Sequence, residues 1–204
     1  MAIEVKNPEI SLECLLNKMN SYGPISNETW AEFKKICRVY DIEKDEEIVS
    51  LGEKSDSLFF VVKGIFRAYV LGGEDGEKDV VKNFFDEERF PASITSMLKG
   101  DVSNFCIQAL EESTVVKINF KGYRELLKKY DDLKWYHIQY IETHWLLERE
   151  PQELSLLNQD AKQRYLSFLE QYPGTIDRVA LYHVASRIGV TPTQLSRIRK
   201  ELKV

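Results

Sequence analysis

The sequence contains few of the residues that build disulfide frameworks and metal centres. Its 204 residues include three cysteines and three histidines. Cys14, Cys37 and Cys106 stand far apart, with no Cys-x-x-Cys pair and no histidine nearby. This spacing predicts no metal site and does not define a disulfide, so we expect buried free thiols in a reducing compartment. We also expect no cofactor.

Long apolar runs are missing as well. The first residues lack the order of charged, apolar and small residues that marks a signal peptide, and no run of 18 apolar residues would span a bilayer. We therefore expect a soluble, cytoplasmic protein with no membrane partner.

Charge is divided unevenly along the chain. The formal net charge is −5, which by itself argues against a nucleic-acid binder. Residues 161–204, however, hold eight basic and three acidic residues and carry +5, whereas residues 1–160 hold 20 basic and 30 acidic residues and carry −10. A basic C-terminal segment on an acidic body suggests that this segment alone binds a polyanion.

Short segments with a period of two begin at Cys37. Seven of them are rich in Val, Ile, Phe and Tyr: CRVYDI, EEIVSL, SLFFVV, IFRAYVL, KDVVKNFF, FCIQAL and STVVKI. Turn signals such as Gly52-Glu53, Gly64 and Asp75-Gly76 separate them. Seven or more short antiparallel strands predict a sandwich or a barrel, which protects its strand edges by closing.

Helical spacing surrounds these strands. Residues 9–20 and 26–36 precede them, with Ser26 as the predicted cap of the second helix, and residues 120–130 follow them. A long helix is then predicted from about Asp132 to Leu157.

The long helix carries two apolar stripes. One consists of Ile138, Ile141 and Trp145, and the other of Leu133, Tyr140, His144 and Leu147. A surface helix needs one stripe, so two predict that the barrel covers one side and the same helix of a second subunit covers the other. Pro151 predicts that the helix kinks or restarts there. The junction at 157–158 is the predicted hinge, and Asn158 is the predicted N-cap of a further helix over residues 159–172.

The segment Arg178–Lys203 predicts two short helices joined by a tight turn. Gly189 stands where the turn needs a left-handed residue, Thr191 is the predicted N-cap, and Pro192 takes the first helical position. The apolar positions of the second helix recur at i, i+3 and i+7, at Leu195, Ile198 and Leu202.

This pattern favours a helix-turn-helix over an ordinary pair of packed helices, because the cap, the glycine and the apolar positions agree and the exposed face is basic. The second helix would be about 16 Å long, which fits a major groove about 12 Å wide. Its outward face carries Thr193, Gln194, Arg197, Arg199 and Lys200.

This order of elements resembles the Crp/Fnr family of bacterial transcription regulators, in particular the Crp-like regulators of the Bacteroidetes group. Two segments carry the resemblance: IVSLGEKSDSLFFVVKG at residues 48–64, with Gly52, Glu53 and Gly64, and residues 184–200. The resemblance implies an α+β fold with a jelly-roll effector barrel of the cyclic nucleotide-binding type at residues 1–130. It further implies a dimerisation helix at 131–157 and a helix-turn-helix domain at 158–204.

The chain departs from this family pattern in its effector cassette. Members that bind cyclic nucleotides carry F-G-E-L…R-[ST]-A, whose Glu binds the ribose and whose Arg binds the phosphate. The candidate pocket here is Phe90, Pro91, Ala92, Ser93, Val102, Ser103 and Asn104, with Ala92 at the Glu position and Val102 or Ser103 at the Arg position. We therefore expect no tight binding of cAMP or cGMP.

A second departure lies after the recognition helix. Val204 follows it almost at once, so we expect that a full wing is lacking there.

The resemblance predicts a homodimer that binds double-stranded DNA, with RNA polymerase and an unidentified small-molecule effector as further partners. The predicted DNA-binding residues are Thr191, Thr193, Gln194, Arg197, Arg199 and Lys200. In the family the outward Arg of this helix reads guanine, and Arg197 falls on that position.

Two other functions are weighed against this one. In the first, the barrel is a ligand-binding module and its helix-turn-helix serves only protein contacts. In the second, the barrel is a cupin-like enzyme, but His137, His144 and His183 all follow the barrel strands, and no nucleophile–base set or Gly-rich phosphate loop is present. We expect no catalysis. His137 and His144 fit core or interface positions better than a pH sensor or a metal site shared across the dimer.

Overall fold

The computed structural model describes residues 2–72, 78–148, 150 and 158–202. Its strands are β1 Ile3–Glu4, β2 Cys37–Ile42, β3 Glu47–Val49, β4 Ser57–Lys63, β5 Phe66–Gly72, β6 Lys78–Phe85, β7 Cys106–Ala109 and β8 Ser113–Asn119. Its α-helices are α1 Glu9–Asn20, α2 Asn27–Lys35, α3 Ile94–Lys99, α4 Phe120–Lys129, α5 Asp131–Ile141, α6 Ala161–Gln171, α7 Leu181–Ile188 and α8 Pro192–Leu202. A π-helical segment spans Glu142–Leu147, and a 3₁₀ turn spans Thr175–Asp177.

The strands form two four-stranded sheets. One has the order β1-β2-β8-β4 and the other the order β3-β7-β5-β6, and the strand pairs are antiparallel. The seven predicted strands are confirmed, and β1 is an additional two-residue strand that pairs with β2. The fold is therefore a mixed helix and strand fold built on a β-sandwich, as the alternating segments predicted.

The interior of the sandwich is filled by the inward positions of these alternating strands. The side chains at these positions are apolar and buried, and Val61, Phe66, Ile107 and Val115 are fully buried among them. Because successive side chains of a strand point to opposite faces, each strand contributes every second residue to this core.

A tight turn at Gly64 joins β4 to β5. Its backbone has φ = +107°, a conformation that side chains with a Cβ rarely adopt. A Cβ placed there would lie 2.0 Å from Ser113 Oγ and 2.9 Å from Ser113 Cα. The Gly64 amide also donates to the Glu87 carboxylate at 2.9 Å. The absence of a side chain is thus a packing requirement at this position.

A second apolar cluster lies between the first sheet and the helices α1, α2, α4 and α5. Leu15, Met19, Phe60, Val116 and Leu133 are its most buried members. The predicted cap of α2 is confirmed, since Ser26 Oγ accepts a hydrogen bond from the Thr29 amide at 3.2 Å. These helices fix the start of α5 against the barrel.

The long helix is α-helical to Ile141 and then becomes π-helical. In the second predicted stripe, Leu133 is buried and Tyr140 and His144 are half-buried, but Leu147 is 73% exposed. Leu147 departs from the side that carries the other three residues because i→i+5 hydrogen bonds, such as Glu148 N–H to Thr143 O at 3.0 Å, change the helical phase. The predicted kink at Pro151 and residue 157 of the predicted hinge lie outside the described residues.

The three cysteines are free thiols. Cys37 and Cys106 are buried as expected, and burial raises the pKa of Cys37 to about 12. The expectation of burial is wrong for Cys14, which is exposed because it lies on the outward side of α1. Among the described residues, no helix is both long and apolar enough to cross a membrane.

The helices α6, α7 and α8 form a C-terminal unit, residues 158–202. The cap of α6 is Asp160 and not Asn158, because Asp160 and Gln163 form a reciprocal capping box with distances of 2.8 and 2.9 Å. The unit has its own core around Tyr165, Val184 and Leu195, and this core is continuous with Val81 and Phe84 of the barrel.

Candidate nucleic-acid interface and effector site

The helices α7 and α8 are joined by a short turn centred on Gly189. Gly189 adopts φ = +71°, and its amide donates to Ser186 O at 3.2 Å. The Val190 amide then donates to Ala185 O at 3.0 Å, which closes the C-terminus of α7. The predicted turn residue therefore has the predicted conformation.

One side of this helix pair is buried. Ala185 and Ile188 on α7 face Leu195 and Ile198 on α8, and each of the four is at most 9% exposed. A small residue at position 185 lets the two helices approach closely. The apolar periodicity of the sequence thus identified the inward side of α8 correctly.

The opposite side of α8 faces solvent and carries predicted DNA-binding residues, while Arg199 lies at its margin with a buried Nε. Of the six predicted residues, Arg199 is half-buried. The other five are exposed: Thr191, Thr193, Gln194, Arg197 and Lys200. The structure thus brings all six together on or beside one helix face.

Thr191 and Gln194 also hold the start of α8. Thr191 Oγ1 accepts from the Gln194 amide at 3.2 Å, and Gln194 Oε1 accepts from the Thr191 amide at 2.8 Å. This reciprocal pair is a capping box. The Gln194 oxygen is engaged within the chain, so any base contact by this side chain would come from its amide nitrogen.

Arg164 is a positioning residue that the sequence analysis did not identify. Its Nε donates to Ile188 O at 2.8 Å, and its Nη1 donates to Gln159 O at 2.8 Å. These bonds satisfy a carbonyl at the end of α7 and tie the turn to the start of α6. Since Arg164 lies 24 residues before Ile188, no local pattern could have signalled this contact.

The predicted effector residues lie around α3 and the segment before β7. Ser93 and Ser103 are buried, and their hydroxyls are 2.9 Å apart, while Ser103 Oγ also donates to Phe105 O at 2.8 Å. Pro91 is buried, and Ala92 is half-buried. Val102 and Asn104 are exposed. The two serines bond each other and the backbone.

Aromatic rings connect this region to the long helix. The Phe90 ring lies 4.9 Å from that of Phe60 and 5.2 Å from that of Tyr140, measured between centroids. Tyr140 in turn lies 4.6 Å from the His144 ring. A change at Phe90 would therefore reach α5 by direct contact.

His144 belongs to a polar network within one subunit. Its Nδ1 lies 2.9 Å from the Glu148 carboxylate and its Nε2 lies 2.5 Å from the Tyr22 hydroxyl. Glu148 also pairs with Arg89 at 3.4 Å. Burial and the nearby Glu148 raise the pKa of Tyr22 to about 12, so its hydroxyl stays protonated and donates to the histidine.

His137 is separate from this network. Its Nδ1 lies 3.0 Å from the Tyr123 hydroxyl, and burial followed by the charge of Arg124 lowers its pKa. In the part of the chain that the structure describes, no group of three or more His, Cys, Asp or Glu side chains is placed to hold a metal ion.

Part of the chain matches a known protein family. Residues 40–130 match the family described as cyclic nucleotide-binding domain. The chain is similar to the cAMP-activated global transcriptional regulator CRP of Salmonella typhimurium, with 22% identity over 110 residues, or 54% of this chain. The match spans about half of that relative, 51% of its length.

Solved structures share the fold over most of the chain. The c-di-GMP responsive global regulator CLP of Xanthomonas campestris has a TM-score of 0.64 at 15% identity, covering 87% of this chain and 92% of that one. FixK2 of Bradyrhizobium japonicum has a TM-score of 0.64 at 19% identity, covering 82% and 85%. Together with the domain match, these similarities confirm the resemblance to Crp/Fnr-type regulators that the motifs predicted.

Proposed function

We infer that this chain, a Crp/Fnr-type regulator, is a homodimer that binds specific sequences of double-stranded DNA through the C-terminal unit. The observation that carries this proposal is the exposed face of α8, where the predicted DNA-binding residues stand beside a fully buried inner side. In this proposal α7, the Gly189 turn and α8 form a helix-turn-helix, and α8 is the helix that enters the major groove.

The residues of this face divide by the contacts they would make. Arg197 is exposed near the middle of α8 and can present its guanidinium to guanine O6 and N7. Thr193 and Gln194 lie one turn earlier and would contact neighbouring bases. Thr191, Arg199 and Lys200 would contact phosphates and so position the helix without reading sequence.

The long helix supplies a surface for dimerisation. Six large apolar side chains are exposed on the described part of this helix, two of them being Leu146 and Leu147. We call the other four the apolar seam: Trp135 at 56%, Ile138 at 42%, Ile141 at 38% and Trp145 at 44%. Their spacing of three, three and four residues places them on one side of the helix. A second copy related by a two-fold axis would cover this seam and set the two recognition helices about 34 Å apart.

The barrel is proposed to be an effector domain that does not respond to cyclic nucleotides. Residues 90–98 and 102–105 contain no Lys or Arg, and the buried hydroxyls of Ser93 and Ser103 bond each other. Loss of an Arg–phosphate pair removes roughly 1.5–3 kcal/mol of binding free energy. In a calorimetric titration we expect no heat of binding with micromolar cAMP or cGMP. A micromolar dissociation constant for either would contradict this.

The same proposal divides the chain into an effector domain at 1–130, a dimerisation helix at 131–157 and a DNA-binding domain at 158–204. It also gives the chain a regulatory and not an enzymatic role, in the cytoplasm. RNA polymerase and an effector of unknown chemistry complete the proposed set of partners. The known relatives are regulators, which supports this role.

The DNA-binding proposal is tested by replacing Arg197 with alanine. The operator would first be selected from random duplex DNA with the unaltered protein. Arg197→Ala is expected to lose about 1–3 kcal/mol of discrimination at one base pair of each half-site, because a bidentate guanine contact is removed. Binding titrations against the operator and its single-base variants measure this loss.

Lys200→Ala is the matched control on the same helix face. It is expected to weaken binding to all sequences equally and to reduce the dependence of the binding constant on salt concentration. Equal losses on every sequence for Arg197→Ala would refute its reading role. A failure of random DNA to yield any preferred sequence would favour protein contacts by the C-terminal unit.

A further inference from the structure

The C-terminal unit packs directly on its own barrel along the edge strand β6. Ser186 on α7 makes two hydrogen bonds to this strand, accepting from the Val81 amide at 2.9 Å and donating to Asp79 O at 3.0 Å. Because β6 is the last strand of its sheet, these outward backbone groups have no neighbouring strand. The hydroxyl of Ser186 therefore replaces ladder bonds at this edge.

Apolar contacts extend the same interface. The ring of Phe84 on β6 meets the rings of Phe168 and Tyr172 edge-to-face, with centroids 5.9 and 5.8 Å apart. The Tyr172 hydroxyl donates to Asn83 Oδ1. The two parts of the chain thus share one desolvated contact surface.

A buried cation lies within this interface. Arg67 on β5 is 7% exposed, and its guanidinium pairs with Asp79 at 2.7 Å and donates to Gln108 Oε1 at 2.8 and 3.0 Å. Its remaining nitrogen Nη1 lies 3.1 Å from Nδ1 of His183 on α7. A guanidinium can only donate, so Nδ1 must be the acceptor and the His183 ring must be neutral, with its proton on Nε2.

The surroundings of His183 oppose a second proton on this ring. Burial, and then the charge of Arg67, lower the pKa of His183 to about 4. The acidic groups that face it, Asp79 from β6 and Asp45 from the turn between β2 and β3, act in the opposite direction but do not prevail. On its own helix His183 contacts the Tyr182 ring.

A second ionic contact ties the C-terminal unit to the barrel away from His183. Arg178 pairs with Glu87 at 2.7 Å and also with Glu111. Burial of the Glu87 carboxyl opposes its ionisation, but hydrogen bonds from Arg178 and the Gly64 amide lower its pKa to about 2. This contact therefore keeps its charges throughout the range in which histidine titrates.

We propose that the β5–β6 edge and α7 form a latch that holds the C-terminal unit on its own barrel, and that protonation of His183 weakens this latch. A proton on Nδ1 would remove the acceptor for Arg67 and place a second cation 3.1 Å from a buried guanidinium. The inference concerns the docking of the two parts and does not require DNA binding.

The direction of the pH dependence follows from linkage. The docked state binds fewer protons at His183 than the released state does between the ordinary histidine pKa of about 6.5 and the docked value. The contribution of neutral His183 to the docking free energy therefore has its maximum value above about pH 6.5 and declines as the pH falls from there toward 4. With these two pKa values, docking is expected to weaken by roughly 25-fold between pH 7.5 and pH 5.

Hydrogen exchange of the Val81 amide in the full chain measures docking directly, because Ser186 of the C-terminal unit accepts its hydrogen bond. Rates would be corrected for the intrinsic pH dependence of exchange and compared with amides of the central strand β8. We expect the protection factor of Val81 to fall roughly 25-fold between pH 7.5 and pH 5 while β8 stays protected.

His183→Asn is the matched variant. Its Oδ1 takes the place of Nδ1 as an acceptor for Arg67 and cannot be protonated, so Val81 protection should be retained at pH 7.5 and should no longer fall at pH 5. Arg178→Gln should lower protection at both pH values, which shows that the amide reports docking. A fall of less than threefold in the unaltered chain, or an equal fall in His183→Asn, would overturn the proposal.

Discussion

Replacing Ile141 with aspartate is expected to convert the proposed dimer into monomers and to remove tight binding to a two-fold symmetric operator. Ile141 is at the middle of the apolar seam and is 38% exposed in the single chain. Across a two-fold axis the substitution places two unpaired carboxylates in one apolar contact. We expect the dimer dissociation constant to rise at least ~100-fold, since burying an unpaired charge costs several kcal/mol.

Loss of the dimer should affect DNA binding more than any single contact does. Two linked recognition helices gain roughly 10²–10⁴ in affinity over one, and monomers forfeit this gain. Sedimentation velocity would give the oligomeric state, and titration of operator DNA at matched salt would give the affinity.

Ile10→Asp is the control for the Ile141 experiment. Ile10 is an equally large apolar residue on α1 and is 78% exposed, but it is not part of the seam. It should change neither the oligomeric state nor the operator affinity. If the Ile141→Asp protein remained dimeric, the subunits would associate through a surface other than the apolar seam.

Gly64→Ala is expected to destabilise the barrel by ~3–5 kcal/mol. Two costs combine at this position: a residue with a Cβ is strained at φ = +107°, and the added carbon overlaps Ser113. The overlap is not relieved by rotating the serine hydroxyl, because Ser113 Cβ and Cα would also lie within 2.6 and 2.9 Å. One strand pair must therefore separate.

Urea unfolding followed by tryptophan fluorescence would measure this loss, with Gly189→Ala as the control. Gly189 has a similar positive φ of +71°, but no atom lies within 4 Å of the position that its Cβ would take. Its substitution should cost only ~1–2 kcal/mol, the cost of strain without overlap. Equal costs at the two glycines would show that backbone strain, and not the contact with Ser113, explains the effect at Gly64.

Much of the fold could be predicted from the sequence because its core strands alternate. Each segment from CRVYDI to STVVKI has enough residues to display a period of two, and each became a strand. The strand Ile3–Glu4 has two residues, too few to show any period. Its pairing with β2 depends on tertiary contacts that place the segment before α1 beside that strand.

The candidate DNA-binding face could be predicted for a related reason. Gly189, Thr191 and Pro192 are local signals, and the buried positions of α8 repeat with helical spacing. The position of Asp160 as the cap of α6 was missed, although its capping box with Gln163 is a local signal that Asn158 obscured.

The docking of the C-terminal unit could not be predicted. Arg67 and His183 are 116 residues apart, and Arg67 occupies an outward strand position between the inward Phe66 and Ala68, where a solvent-facing charge would be expected. Nothing in the local sequence distinguishes a charged residue that faces solvent from one that is buried against another part of the chain. Contacts of this kind depend on the tertiary arrangement alone.

The buried hydroxyl pair of Ser93 and Ser103 has a consequence for signalling in the cell. A phosphodiester entering this region would give up its hydration and meet two hydroxyls whose protons are already donated within the chain instead of a guanidinium, which is unfavourable by several kcal/mol. Under the proposed function, a chain with this hydroxyl pair in place of a guanidinium would be insensitive to changes in the concentration of cyclic nucleotides.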